Sequence, residues 1–142
     1  MSRMHMQRPR SIYRMSLVLT LIGVSALGGI VGTPWGQPLP VAPQLLRADP
    51  RTASWLIFMA AVIYCVATLI CAFALWRMRP WTPTAYRWFV ASILFYMLLF
   101  LYLVRIPAPI GLAVTFFGLL GAALYWGWRI VRTAFPSDQR AL

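Results

Sequence analysis

The sequence predicts an all-α polytopic membrane protein, a single bundle of four transmembrane helices with both termini on one side of the bilayer. Three observations predict it. Of 142 residues, 61% are hydrophobic and 11% are charged, with mean hydropathy +0.74. A soluble domain carries roughly 25% charged residues, so water is a poor solvent for a surface this short of charge. Second, every charged residue falls at the end of an apolar run or between two runs, as expected where a charge at mid-bilayer costs several kcal/mol. Third, Trp35, Trp55, Trp76, Trp88, Trp126 and Trp128 lie near the ends of those runs, where an amphipathic ring prefers the membrane interface.

The elements follow in order. At about 1.5 Å rise per residue, roughly 20 apolar residues cross the hydrocarbon as a helix. The uncharged stretch after Arg14 predicts a first helix over 15–31, ended by Gly32, Thr33 and Pro34. A second helix is expected over 54–76, between Arg51 and Arg77, and a third over 88–104, between Arg87 and Arg105. The fourth, over 110–128, precedes Arg129. The runs are continuously apolar rather than alternating, which excludes a β-barrel.

The connection 33–53 contains Pro34, Pro38, Pro40, Pro43 and Pro50, and is expected to be extended and external. Leu45 and Leu46 are placed on the membrane surface. The connection 105–110 is short enough to make the third and fourth helices a hairpin.

Orientation is read from arginine. Arg3, Arg8, Arg10 and Arg14 precede the first helix, Arg77, Arg79 and Arg87 join the second to the third, and Arg129, Arg132 and Arg140 follow the fourth. These are ten of the 13 basic residues, and all would share one side. The positive-inside rule places that side, and both short basic tails, in the cytoplasm. The location expected is a bacterial inner membrane. Residues 8–28 also have the outline of a cleavable secretory signal, but the apolar run continues through Ile30 and Val31, which favours an uncut helix.

A net charge of +11 invites a nucleic-acid reading. These arginines border membrane spans, and attraction to anionic lipid accounts for them. Arg10, Arg14, Arg77, Arg79, Arg87, Arg129 and Arg132 are the expected headgroup contacts, and no nucleic acid is expected.

Helices in lipid approach closely through small residues. Ser25, Gly28 and Gly32 share a face of the first helix, Ala61, Cys65, Thr68 and Ala72 a stripe of the second, and Gly111, Thr115, Gly118 and Ala122 a stripe of the fourth. The third helix has no small residue from Ile93 onward. The expectation is a tight core of helices one, two and four, with the third facing lipid. Gly28 should then resist leucine, and Leu94 should tolerate alanine. Oligomer contact or partner docking is the other use of the same stripes.

The chemical inventory is sparse. There is no glutamate, Asp49 and Asp138 are far apart in the chain, and His5 is the one histidine. No carboxylate pair is available for acid–base catalysis, no span carries an ionisable coupling residue, and none carries a histidine to ligate haem. Cys65 and Cys71 are six apart on one helix, turned away from each other by about 120°, and are read as packing residues. Met4, His5 and Met6 are soft enough for Cu(I), yet Arg3 and Arg8 would repel a cation. No enzyme activity, cofactor or metal is expected. Function is read as an accessory or assembly subunit acting by helix packing, with other membrane subunits or itself as partner. The alternative is an oligomeric pore for a neutral or anionic solute, with arginines at its mouths.

Overall fold

The computed structural model describes residues 10–34, 43–105 and 109–135, and it is all-helical. Among these residues there are four long helices: α1 (Arg10–Gly32), α2 (Pro50–Trp76), α3 (Thr82–Leu103) and α4 (Ile110–Ala134). Each is long and apolar enough to cross a membrane.

The helices reach past their expected ends by up to six residues. Arg10, Arg14, Arg87, Arg129 and Arg132 are all helical. Arginine is a good helix former. An arginine at the edge of an apolar run therefore marks the end of the hydrocarbon, not the end of the helix. At the start of α2, Asp49 is the N-cap: its Oδ2 accepts from the N–H groups of Arg51 at 3.2 Å and Thr52 at 3.3 Å. Pro50 stands in the first turn, where its missing N–H costs nothing. Pro50 thus opens α2 instead of ending the extended connection.

The turn from α2 to α3 is tight. Arg79 N–H donates to Ala74 O at 3.1 Å and Met78 N–H to Leu75 O at 3.2 Å, the Schellman pattern, with Met78 in the left-handed region at φ 49°. Thr82 Oγ1 is buried 2.6 Å from Arg79 O and 3.1 Å from Ala74 O, tying the start of α3 to the end of α2.

The described part of the first connection is fastened rather than free. Pro43–Leu45 forms a 3-10 turn. Arg47 N–H donates to Leu103 O at 3.0 Å and Arg105 N–H to Leu45 O at 2.7 Å, so that Leu46 pairs with Val104. Leu46 packs against a cluster of Ala53, Ile57, Leu103 and Val104. Leu46 is partly buried there, so contact with Val104 ties this end of the connection to the bundle. Pro38 and Pro40 lie outside the described residues.

The main core is built by α1, α2 and α3 at the arginine-rich end, from Ile12, Leu19, Cys71, Leu75, Tyr86 and Phe89, with Val131 of α4 joining them. The expected division of labour is overturned here. α3 is a core helix, with eight buried residues, whereas α4 buries only Gly127 and Val131. The reason is that one tight turn sets α3 beside α2, and α3 buries Tyr86, Phe89, Ile93 and Leu103 along with its few small residues, large side chains that a small-residue count overlooks. α4 joins the core cluster only from Leu124 onward. Its first half faces outward, with Ile110 at 82% and Val114 at 66% exposure. The hairpin of α3 and α4 is therefore packed at one end and open at the other.

Candidate functional site

The contacts that hold α1 on α2 come from one face of α1. Ser16 Oγ donates to Ala72 O at 3.1 Å, and Cys65 Sγ donates to Gly23 O at 3.5 Å. Gly23 is buried against Leu69 and Thr68; a Cβ there would fall 2.6 Å from Leu69 Cδ2. Of the expected stripe on α2, Cys65, Thr68 and Ala72 are buried in this contact and Ala61 is partly buried. The expected stripe on α1 is elsewhere. Ser25, Gly28 and Gly32 are exposed, and a Cβ on Gly28 or Gly32 would meet nothing within 4 Å. The α4 stripe of Gly111, Thr115, Gly118 and Ala122 is exposed as well. Both were expected as internal packing. Neither is, because α1 presents Ile12, Ser16, Leu19 and Gly23 to α2, and α4 leaves the bundle before its small residues begin.

The polar side chains divide in the same way. Thr20, Thr68, Ser92 and Thr115 each donate back to a carbonyl of their own helix. The side-chain bonds between helices are made instead by Ser16, Cys65, Thr82 and Tyr86, none of which the sequence marked for that role. Tyr86 OH donates to Leu124 O at 2.7 Å, across α3 and α4. Gly127 lies one turn further along, and a Cβ on it would collide with that hydroxyl. The signal for the pair is local: Gly127 is the one glycine in the aromatic run Tyr125-Trp126-Gly127-Trp128.

Five rings form a column through the bundle. Tyr96 stacks on Tyr64 with centroids 5.9 Å apart, Tyr64 lies 6.3 Å from Phe89, Phe89 5.8 Å from Tyr86, and Tyr86 stacks on Trp128 at 6.1 Å. The Arg87 guanidinium caps the column, 5.2 Å over Trp128. Such offset pairs contribute about 0.5–1.5 kcal/mol each beyond area burial, so the column joins α2, α3 and α4 where small residues do not.

Beside the column is a cleft between α1, α3 and α4, about 620 Å³ in volume, with Tyr64 of α2 as its floor. Its walls are almost wholly apolar, and Ser11 and Arg14 stand at its arginine-rich end. A smaller cavity of about 270 Å³ continues beyond Tyr64 along Ala26, Gly29 and Thr33 of α1.

Arg10, Arg14, Arg77, Arg79, Arg87, Arg129 and Arg132 are all exposed. Arg77 lies 5.5 Å over the Phe73 ring. The one carboxylate among the described residues, that of Asp49, caps α2 at the opposite end. Cys65 and Cys71 are both buried free thiols. Among the described residues no three His, Cys, Asp or Glu side chains gather to hold a metal ion. Met4, His5 and Met6 lie outside the described residues. No known protein family, curated protein or solved structure matches the chain.

Proposed function

We propose that the chain is a non-catalytic packing subunit, an accessory or assembly component of a larger membrane complex. One observation carries this reading: the small-residue stripes of α1 and α4 face out of the fold. A stripe that permits close backbone approach is useful only where another helix arrives, and among the described residues none does. Ser16, Thr68, Thr82, Tyr86 and Ser92 each donate to a backbone carbonyl, the bonding of packed helices, which favours this reading over the alternative of an oligomeric pore.

Purification in mild detergent followed by mass spectrometry is expected to recover stoichiometric membrane partners. Gly28→Leu and Gly118→Leu should release those partners while leaving the thermal midpoint of the isolated chain unchanged. A chain that runs alone, with both substitutions silent, refutes the proposal.

The proposed setting is a bacterial inner membrane with both termini in the cytoplasm, supported by the ten arginines that the order of four spans would assign to one side. In a background lacking Cys65 and Cys71, an impermeant thiol reagent applied to intact cells is expected to label Gln44→Cys and spare Pro80→Cys. Both positions are exposed. The reverse pattern would invert the orientation.

A further inference from the structure

We infer that the cleft between α1, α3 and α4 is a binding groove for one acyl chain of an anionic phospholipid, whose phosphate is held at Arg14. The inference rests on the reading above that the arginine-rich face lies at a headgroup layer.

Size, length and charge each point to this occupant. A volume of about 620 Å³ falls within the range of pockets that enclose whole small ligands, roughly 300–1,000 Å³. The groove follows α1 from Ser11 past Val18 to Ile22, where Tyr64 divides it from the smaller cavity beyond. The rise between Ser11 and Ile22 is roughly 16 Å at helical pitch. One leaflet of hydrocarbon is about 15 Å thick, half of a core of about 30 Å. The groove therefore runs from the interface to mid-bilayer, the depth one acyl chain occupies. Its flank on α4 is Leu120 and on α3 Ile93, so the tail path is apolar apart from the Tyr64 and Tyr86 phenols.

The one charged residue of the lining, Arg14, stands at the arginine-rich end, where a headgroup would sit. Arg14 is exposed there and has no carboxylate to pair with among the described residues, since Asp49 caps α2 at the far end. A phosphate supplies the missing anion, with the fork geometry that guanidinium favours. Ser11, one turn earlier on α1, adds a hydroxyl at the same mouth. A partner helix in this cleft would leave Arg14 without an anion unless it carried an acidic residue at that end.

The test is native mass spectrometry of the purified full chain, loaded with phosphatidylglycerol or with phosphatidylcholine bearing the same acyl chains. The chain is expected to retain phosphatidylglycerol in preference. Val18→Trp fills the tail path from an exposed position, and Ile22→Trp does so one turn deeper. Each should reduce retention several-fold, and Arg14→Gln should reduce it about fivefold, the weight of one arginine at an anionic surface. Arg51→Gln removes the same charge at the opposite end and should leave retention unchanged. Glycerol phosphate in excess should fail to displace the lipid.

Equal retention of the two lipids by the unsubstituted chain would overturn both the groove and the reading of the arginine-rich face. A preference for phosphatidylglycerol untouched by either tryptophan, or by Arg14→Gln, would overturn the groove alone. So would displacement by glycerol phosphate, or tryptophan variants that lose a co-purifying protein while keeping the lipid.

Discussion

Gly127→Leu is expected to release α4 from the bundle, the largest single-residue effect in the fold. α4 buries only Gly127 and Val131, so its attachment depends on a few contacts near one end. At Gly127 even a methyl group would collide with the Tyr86 hydroxyl and lie 3.1 Å from its Cζ and 3.2 Å from Met15 Cε. The Tyr86 ring has little room to withdraw. It is stacked on Trp128, tilted against Phe89 and hydrogen-bonded to Leu124 O. Overpacking of this kind costs about 1–3 kcal/mol, and leucine adds further bulk. The thermal midpoint in detergent should fall for Gly127→Ala and further for Gly127→Leu. Gly118→Leu on the same helix should change nothing, since a Cβ there meets no atom within 4 Å. A double-mutant cycle isolates the cause. Tyr86→Phe alone loses one interhelical bond, on average about 0.6 kcal/mol in a membrane, yet it should partly rescue Gly127→Ala by removing the atom the methyl strikes. Strictly additive losses would mean that Gly127 is constrained by something other than Tyr86.

The second large effect is expected at Gly23. Gly23→Leu places a branched side chain against Leu69 and Thr68, where a Cβ already falls 2.6 Å from Leu69 Cδ2. The Leu69 tip can move to accept a methyl, so Gly23→Ala should be mild. Leucine cannot be accommodated that way, and separating the backbones also breaks the bonds from Cys65 to Gly23 O and from Ser16 to Ala72 O. A drop in thermal midpoint equivalent to about 3 kcal/mol or more is expected, at or above the upper end of ordinary overpacking. Gly28→Leu, five residues further on, should leave the isolated chain untouched. This reverses the expectation drawn from the stripe of Ser25, Gly28 and Gly32. Leu94→Ala should be mild, as expected from the sequence, because Leu94 is partly exposed. If Gly28→Leu destabilised the isolated chain as much as Gly23→Leu, the α1–α2 register described above would be wrong.

Glycines 23 and 28 show where sequence reading stops. Both sit in the same apolar run, each with small neighbours at helical spacing. α1 is apolar on every side, so periodicity gives no preferred face. Choosing between the stripes requires knowing where α2 lies, and that is fixed by Ser16, Cys65 and Leu69 meeting across the interface. The aromatic column was hidden for a related reason. Tyr64, Phe89 and Trp128 belong to three helices, and their rings come within stacking distance only after those helices pack. α3 was misplaced because the small-residue criterion overlooks contacts made by large rings and by a tight turn. The Schellman turn through Met78 left no sign either, since the left-handed position is usually glycine.

By itself, the sequence determined that the protein is all-helical, that four helices are long and apolar enough to cross a membrane, and roughly where each lies. Hydrophobic length and charge placement are one-dimensional quantities. The cost of a charge in hydrocarbon and the need to close every backbone hydrogen bond there act residue by residue along the chain. Only the tertiary structure decided which faces meet, that α3 is central and α4 half-detached, and that a cleft opens beside Tyr64. Those outcomes depend on contacts a few ångströms wide between helices whose surfaces are apolar all round. Where every face suits lipid, polarity cannot choose among them, and the choice falls to the shapes and few hydrogen bonds of side chains such as Gly23, Tyr86 and Gly127.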